Sequence, residues 1–348
     1  MQMSHKHAFA ALVVAAVTAI ATRVAIGDAP TQQTQQNDAT ATAVNTAYQN
    51  LRGLHEGSNA DYIPALAKVD PNLFGIAIVT ADGRVYTAGD VKTEVSIQSI
   101  SKVFTMARVF QESGEAAVRD NIGVDATGQP FNSITAIEEH KGKEMNPFVN
   151  AGAITTTGLL KGDGANEKWS DIIETYDAFA GRSLKVNDEV YKSEAATNQR
   201  NQAIGELMAA YGHFKGNPQE VVDLYTKQCS VSVNAVDLAT MAATLANGGT
   251  NPRTGKAVLD PTHVPAVLAV MATAGLYDDS GQWLFETGLP AKSGVGGGLI
   301  AVVPGKFGIA VISPPLDKAG NSVRGQKAIA EIDKSLGANP YAVQPKAK

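Results

Sequence analysis

The chain has 348 residues, of which 44% are hydrophobic and 18% are charged, and its formal net charge is −5. These values are typical of a soluble globular protein of one or two domains, and because no basic run stands out, nucleic acid is an unexpected partner. Cys229 is the only cysteine, so an internal disulfide and a cysteine-rich metal site are both excluded.

The first 43 residues differ in composition from the rest of the chain. An apolar run at residues 8–21 has the length of a signal-peptide core rather than that of a membrane span. We therefore predict a signal peptide or anchor at residues 1–27 and a periplasmic or secreted protein, with a membrane-anchored or cytoplasmic one as alternatives. Residues 28–43 are polar and low in complexity, which predicts a flexible linker.

The first predicted folded elements are a short helix at residues 44–56 and a β-hairpin. The hairpin joins an apolar, β-branched segment at residues 74–80 to an alternating segment at residues 84–88, and Asp82-Gly83 between them is a turn signal. A helix is predicted next, because Ile100 and the apolar residues after it repeat at i, i+3, i+4 and i+7.

Ser99 and Lys102 stand three residues apart at the start of this helix. Positions i and i+3 share a helix face, so the lysine would lie beside the serine hydroxyl. A partly desolvated lysine with a lowered pKa can take the proton of such a hydroxyl and make it a nucleophile. Taken alone the pattern is weak, since about one match is expected by chance in a chain of this length. A helix-capping serine beside a solvated lysine is the alternative.

The middle of the chain is predicted to be mostly helical. The predicted helices are residues 170–180, residues 198–211, a segment that starts at Asn217 and carries Tyr225, residues 235–246 and residues 262–274. Two polar sites in this region have the groups that an amino-acid substrate needs. Asn150, which is followed by small residues, has a side-chain amide that can both donate and accept hydrogen bonds. Glu194, seven residues before Asn201, could bind the ammonium group of a substrate. A helix cap and a polar loop are the respective alternatives.

The last part of the chain returns to strand signals. Lys292-Ser293-Gly294 leads through a glycine-rich segment into apolar strands at residues 298–303 and 307–312, and a closing helix follows at residues 322–336. Lys-Ser/Thr-Gly on a strand late in the chain, after Ser-x-x-Lys on a helix, is the order of motifs in penicillin-binding proteins. The backbone N–H groups of Val295 and Ser99 would then form an oxyanion hole.

This order of elements predicts an α+β fold in which an antiparallel sheet is flanked by helices and receives an inserted helical domain. We predict that residues 44–98 and 285–348 form the sheet domain and that residues 99–284 form the helical domain.

Taken together, these residues resemble the serine-dependent glutaminases of the β-lactamase-like fold, over about residues 61–325. The matching stretches are Asp61-Tyr62-Ile63-Pro64, Gln98 to Lys102, Phe131-Asn132-Ser133, Asn146-Pro147, Asn150 to Ala153, Ser193-Glu194, Arg200-Asn201, Gln228-Cys229-Ser230, Leu276-Tyr277-Asp278, Leu289 to Val295 and Ser313 to Asp317.

The resemblance implies hydrolysis of the side-chain amide of L-glutamine to L-glutamate and ammonia through a γ-glutamyl ester on the serine. It implies Ser99 as the nucleophile and Lys102 as its base. The positions that match the glutamine-binding residues of the family are Tyr62, Asn150, Glu194, Asn201, Tyr225, Tyr277 and the main chain of Val295. No metal or organic cofactor is implied, and members of the family are usually homo-oligomers, often tetramers.

Two departures from the family pattern stand out. Asn198-Gln199 occupy positions where many members are expected to carry Gly-Asp, and this difference could alter the loop beside Asn201. The apolar leader is the other departure, and it bears on location rather than on chemistry.

Three alternatives to a glutaminase are open at this stage. A β-lactamase or peptidase on the same fold would not need Glu194 and Asn201, because its substrate brings no free α-ammonium. A catalytically inactive, amide-binding sensor would not need Ser99, Lys102 and Lys292. An extracytoplasmic structural protein explains the leader but none of the pocket residues.

Overall fold

The computed structural model describes residues 32–143, 145–343 and 345. The predicted signal peptide at residues 1–27 lies outside the described residues, and so does the start of the predicted linker. No helix in the described part of the chain combines the length and the apolar character that crossing a membrane requires.

In the residues that the structure describes, the five strands of the main sheet come from both ends of the sequence, and three short strands lie between them. The strands are β1 (Gly75–Thr80), β2 (Val85–Gly89), β3 (Val95–Ser96), β4 (Lys185–Val186), β5 (Val231–Val233), β6 (Ala291–Ser293), β7 (Gly298–Val303) and β8 (Phe307–Ile312). The helices are α1 (Gln32–Leu51), α2 (Pro64–Ala67), α3 (Ser101–Ser113), α4 (Ala116–Arg119), α5 (Ile134–His140), α6 (Asn150–Leu159), α7 (Ala165–Ala180), α8 (Asp188–Ala195), α9 (Gln199–Ala210), α10 (Pro218–Cys229), α11 (Ala235–Ala246), α12 (Val264–Ala274), α13 (Ser280–Thr287) and α14 (Val323–Leu336).

The main sheet has the strand order β2-β1-β8-β7-β6, and every neighbouring pair is antiparallel. Each predicted hairpin is present, and the two hairpins join where β1 pairs with β8, with Ala77 opposite Ala310. β1, β7 and β8 are buried on both faces, which explains why they are continuous apolar runs without alternation. A smaller sheet has the order β3-β5-β4, and its strand β3 ends three residues before Ser99.

Helices cover both faces of the main sheet. α1 and α14 pack on one face, and α11 crosses the other, where the core continues into the helical region. α11 begins with a reciprocal cap between Asn234 and Asp237. It lies so close to β8 that a Cβ on Gly308 would collide with the backbone of Ala242 and Ala243. The backbone of α11 therefore packs directly against the backbone of β8.

The prediction of a flexible linker through residue 43 is wrong for the residues that the structure describes. α1 begins at Gln32, and Ala43, Val44 and Ala47 are buried on its inner face. Tyr48 stacks on Phe74 with ring centroids 5.2 Å apart. The stripe of small apolar residues is short and is surrounded by Gln, Thr and Asn, so the composition alone did not reveal a packed helix.

Other helices were missed because their own propensity is weak. α6 contains three consecutive threonines and two glycines, yet most of its residues are buried between other helices. Tertiary packing stabilises such a segment, as it does most short helices in proteins. The division of the chain into two domains at residues 98 and 285 stays a prediction.

Candidate active site

Most of the predicted site residues line one cavity of about 240 Å³ between the helical region and the sheet. The lining residues are Tyr62, Ile63, Gln98, Ser99, Phe131, Asn132, Asn150, Glu194, Thr197, Asn198, Arg200, Asn201, Tyr225 and Val295. Lys102 and Tyr277, the other predicted residues, lie beside this cavity, where Lys102 contacts Asn150 and the Tyr277 ring contacts Phe131. The structure therefore brings together residues that are up to about 230 positions apart in the chain.

Ser99 lies in a single 3₁₀ turn, Gln98–Ile100, that leads directly into α3. Gln98 has a φ of 50°, which a non-glycine residue adopts at a cost, and such strain is found most often at functional sites. The side chain of Ser99 is 7% exposed and lies near the Tyr277 hydroxyl. The serine is therefore held in a fixed, tightly surrounded position rather than on a mobile loop.

The glycine-rich segment after β6 packs against the chain just before Ser99. A Cβ on Gly294 would lie 2.8 Å from the carbonyl oxygen of Ile97, and one on Gly296 would lie 2.5 Å from that of Ser96. Only glycine permits this approach, which places Val295 at the cavity wall beside Ser99. Among the described residues, the Val295 N–H donates to no backbone or side-chain acceptor. It is therefore available as one donor of an oxyanion hole.

Lys102 is buried to 1% exposure, and its Nζ donates to the Phe148 carbonyl at 2.9 Å and to Asn150 Oδ1 at 2.8 Å. Burial lowers the pKa of Lys102 from 10.5 to about 8, although Cys229 and Glu194 nearby oppose the shift. A neutral amine has two N–H groups and one lone pair. Since two fixed acceptors use both N–H groups, the lone pair is free to accept a proton. The alternative of a solvated lysine is wrong.

Asn150 connects this lysine to the rest of the cavity. It is the first residue of α6 rather than its cap, and its Oδ1 also accepts a hydrogen bond from the Tyr225 hydroxyl at 3.2 Å. Its Nδ2 donates to Asn201 Oδ1 at 2.9 Å. The amide is therefore oriented, with its oxygen toward Lys102 and its nitrogen toward the cavity side that Asn201 lines.

Glu194 is a buried carboxylate in α8, with 6% of its surface exposed. Burial raises the pKa of Glu194 from 4.5 to about 7, and a hydrogen bond from Gln98 and the charge of Lys102 oppose the shift. Gln98 Nε2 donates to Glu194 Oε2 at 3.2 Å. The carboxylate has no ion pair among the described residues, so it can receive a cationic group of a ligand.

Tyr62 and Tyr277 occupy different depths of the site. Tyr62 is 53% exposed at the cavity mouth. Tyr277 has a φ of 54° and donates from its hydroxyl to the Ser293 carbonyl at 3.2 Å. Burial raises the pKa of the Tyr277 phenol above its usual range. Tyr277 is therefore a neutral phenol next to Ser99.

The departure from the family pattern at residue 198 leaves the local backbone unstrained. Asn198 has a φ of −94°, in the region that any residue adopts. Its side chain donates to Thr226 Oγ1 at 3.1 Å and accepts from Gln202 at 2.8 Å. Asn198 thus attaches the start of α9 to α10, and Asn201 still lines the cavity.

The contact of Gln98 with Glu194 was missed by sequence reasoning. Gln98 directly precedes the nucleophile candidate, and only its position in that motif could have suggested a role. No group of three or more His, Cys, Asp or Glu side chains suited to a metal ion occurs among residues 32–143, 145–343 and 345.

Comparison with known proteins gives one consistent family. The family model for glutaminases matches residues 57–341. A glutaminase of Colwellia psychrerythraea is 54% identical over 295 residues, which cover 85% of this chain and 95% of that relative. Glutaminase 1 of Shigella flexneri is 50% identical over 299 residues, which cover 86% of this chain and 96% of that relative.

Solved structures agree in fold. The probable glutaminase ybaS superposes with a TM-score of 0.87 at 48% identity, covering 88% of this chain and 99% of that one. Mglu in its glutamate form superposes with a TM-score of 0.83 at 37% identity, covering 88% of this chain and 70% of that one. The predicted α+β, β-lactamase-like fold is confirmed, and the chain belongs to the glutaminase family.

Proposed function

We propose that this protein hydrolyses L-glutamine to L-glutamate and ammonia through a γ-glutamyl ester on Ser99. The observation that carries this proposal is one cavity that Ser99 and the buried carboxylate of Glu194 line, with the buried amine of Lys102 directly beside it. Membership of the glutaminase family supports the substrate.

The first half-reaction forms the γ-glutamyl ester on Ser99 and releases ammonia. Lys102 accepts the Ser99 proton as Oγ attacks the side-chain carbonyl carbon of glutamine. The N–H groups of Val295 and Ser99 stabilise the negative charge on the carbonyl oxygen. The carbon–nitrogen bond then breaks, and the proton held by Lys102 passes to the leaving nitrogen, which departs as ammonia.

The second half-reaction repeats these roles with water. Neutral Lys102 takes a proton from the water that attacks the ester carbonyl, and the same N–H groups stabilise the second tetrahedral intermediate. The bond to Ser99 Oγ breaks, the serine recovers its proton, and glutamate leaves with the oxygen of the water.

The remaining pocket residues suit a free α-amino acid. The Glu194 carboxylate pairs with the α-ammonium, and Asn201, Asn150 and Tyr225 provide neutral hydrogen bonds for the other polar groups. The similarity to Mglu, whose structure was solved in a glutamate form, supports a site of this kind.

An ammonia-release assay with purified protein tests the proposed substrate. We expect turnover of glutamine, much slower turnover of asparagine, and none of a chromogenic lactam. Asparagine is one methylene shorter, which costs roughly 1–3 kcal/mol in a fitted pocket. Preference for the lactam would identify the alternative, a β-lactamase on the same fold, and glutamine binding without ammonia release would identify a sensor.

The pH dependence of turnover is a further prediction, because two groups must be deprotonated. Lys102, with a pKa of about 8, must be neutral to act as a base, and Glu194, with a pKa of about 7, must be ionised to bind an ammonium. Because the two pKa values are about one unit apart, the logarithm of kcat/KM should rise with pH at a slope that approaches two well below pH 7, and it should level off above pH 8.

Bound glutamine removes one of these two deprotonations from the pH profile of kcat. Its ammonium keeps Glu194 ionised in the complex, so kcat should show a single limb near pH 8, that of Lys102. In Glu194→Gln, kcat/KM should be lower and should lose the limb near pH 7. A kcat limb that stays near pH 10, the range of an ordinary lysine, would contradict the assignment of Lys102.

A further inference from the structure

Arg200 is the second residue of α9 and lines the cavity, and the proposed reaction does not use it. The residue is exposed, which places it where the cavity opens to solvent. Among the described residues that line the cavity, Arg200 is the only one with a positive charge, and Glu194 is the only one that carries a negative charge when it is ionised. The cavity therefore presents one charge of each sign.

A free α-amino acid also carries one charge of each sign, an ammonium and a carboxylate. In the proposed function the ammonium pairs with Glu194, whereas the carboxylate has only neutral hydrogen-bond donors. Hydrogen bonds in which donor and acceptor are both ionised are about twice as strong as neutral ones. The carboxylate of the substrate and the guanidinium of Arg200 are thus the two charges that the proposed function leaves without a partner.

One hydrogen bond holds the guanidinium of Arg200 in place. Its Nε donates to the Asn132 carbonyl at 2.9 Å, and Asn132 also lines the cavity. A guanidinium has five N–H groups in a rigid, planar fork that matches a carboxylate. In the described part of the chain, Arg200 forms no ion pair and its two Nη atoms donate to no acceptor. The Nη end of the fork is therefore oriented and available to an anion.

Arg200 and Glu194 lie on the same corner of the chain, between α8 and α9. Thr197, Asn198 and Asn201 of this corner line the cavity as well, and the Asn198 side chain fastens the corner to α10 through Thr226. The two charged groups of an α-amino acid are attached to a single carbon atom, so the residues that bind them must come from one part of the lining. This corner meets that requirement.

We propose that Arg200 is a specificity-determining residue that binds the α-carboxylate of the substrate and so selects free glutamine over glutamine whose carboxyl group is amidated or in a peptide bond. This role rests on the proposed function, in which glutamine is the substrate. It differs from a role in holding the turn at Asn132, because that contact uses only Nε.

A cycle of one variant and two substrates tests this inference. In L-glutaminamide, a neutral amide of nearly the same shape replaces the α-carboxylate. We expect Arg200→Gln to lower kcat/KM for glutamine by about 10-fold to 10²-fold, mostly through KM, because a hydrogen-bonded charge pair is lost. For L-glutaminamide the loss should stay below about threefold, since there is no carboxylate to lose. Chromatography of the product, the α-amide of glutamate, shows that the side-chain amide was the one hydrolysed.

Two further variants separate the charge of Arg200 from its shape and from the net charge of the protein. Arg200→Lys keeps the positive charge without the planar fork, so it should recover part of the kcat/KM for glutamine. Arg253→Gln is the matched control, because Arg253 is exposed, does not line the cavity and forms no ion pair with a described residue. It removes the same charge, and its kcat/KM should stay within about twofold for both substrates.

An equal loss of kcat/KM for both substrates in Arg200→Gln would overturn the inference, because Arg200 would then act only by holding the turn at Asn132. Equal use of both substrates by the unaltered protein would also overturn it. If L-glutaminamide binds without being hydrolysed, its inhibition constant against glutamine replaces its kcat/KM in the same comparison. If Arg200→Gln does not fold, as judged by circular dichroism, Arg200→Lys takes its place in the cycle.

The unaltered protein separates this inference from the proposed function. If it releases ammonia from glutamine and Arg200→Gln shows no difference between the substrates, only the role of Arg200 is wrong. If it releases no ammonia from glutamine, the proposed function fails, and the role of Arg200 fails with it.

Discussion

Ser99→Ala is expected to lower kcat for glutamine by about 10⁴-fold or more, because removing a covalent nucleophile leaves only binding and oxyanion stabilisation. The change deletes one oxygen from a side chain that is 7% exposed, so the cavity and its polar groups should keep their shape. Glutamine should still bind, since Glu194 and Asn201 are intact. Ammonia release measures the first effect, and isothermal titration with glutamine measures the second.

Ser101→Ala is the matched control for this change. Ser101 is a buried serine two residues further along, and its Oγ lies 3.9 Å from Cys229 Sγ, away from the cavity lining. The activity of Ser101→Ala should remain close to that of the unaltered protein.

In Ser99→Ala, intact-protein mass spectrometry after mixing with glutamine should show no γ-glutamyl adduct. Turnover within about tenfold of the unaltered protein would remove Ser99 from the mechanism.

Lys102→Met is expected to lower kcat by about 10³-fold, within the range that positioned general bases contribute. Methionine fills a similar volume, but it can neither accept the serine proton nor return it to the leaving nitrogen. The limb of the kcat profile near pH 8, which we attribute to Lys102, should disappear at the same time. Steady-state ammonia release over a series of pH values measures both effects.

Lys102→Arg distinguishes loss of the base from loss of a positive charge. Arginine keeps the charge and the donors but stays protonated at every accessible pH, so it should be about as inactive as methionine. Recovery of activity in the arginine variant would show that catalysis needs the positive charge of residue 102 and not the lone pair of a neutral amine. A loss of less than tenfold in Lys102→Met would transfer the role of base to another group, with Tyr277 or Tyr225 as the next candidates.

Local signals in the sequence predicted much of the fold. The turn at Asp82-Gly83 and the apolar runs of β7 and β8 predicted both hairpins, because these signals depend on neighbouring residues. α10 was recognisable from Asn217-Pro218, whose cap is present in the structure. α6 was not, since its glycines and threonines favour no helix and only its burial stabilises it.

The small sheet β3-β5-β4 was also beyond prediction. Its strands have two or three residues each and pair across distant parts of the chain. So short a strand carries no periodicity, and its partners are decided by the packing around it. This sheet nevertheless matters, because the Ile97 N–H donates to the Val231 carbonyl directly before the turn that carries Ser99.

The sequence by itself determined which residues could carry the chemistry, because Ser99 and Lys102 are neighbours on one helical turn and the motifs occur in the family's order. Only the tertiary structure decided the surroundings that make them reactive. It buries Lys102 and Glu194, brings Asn150 into hydrogen-bond contact with Lys102, and places Tyr277 near Ser99. The physical reason is that proton affinity depends on desolvation and on charges a few ångströms away, and both are properties of the folded chain rather than of spacing along it.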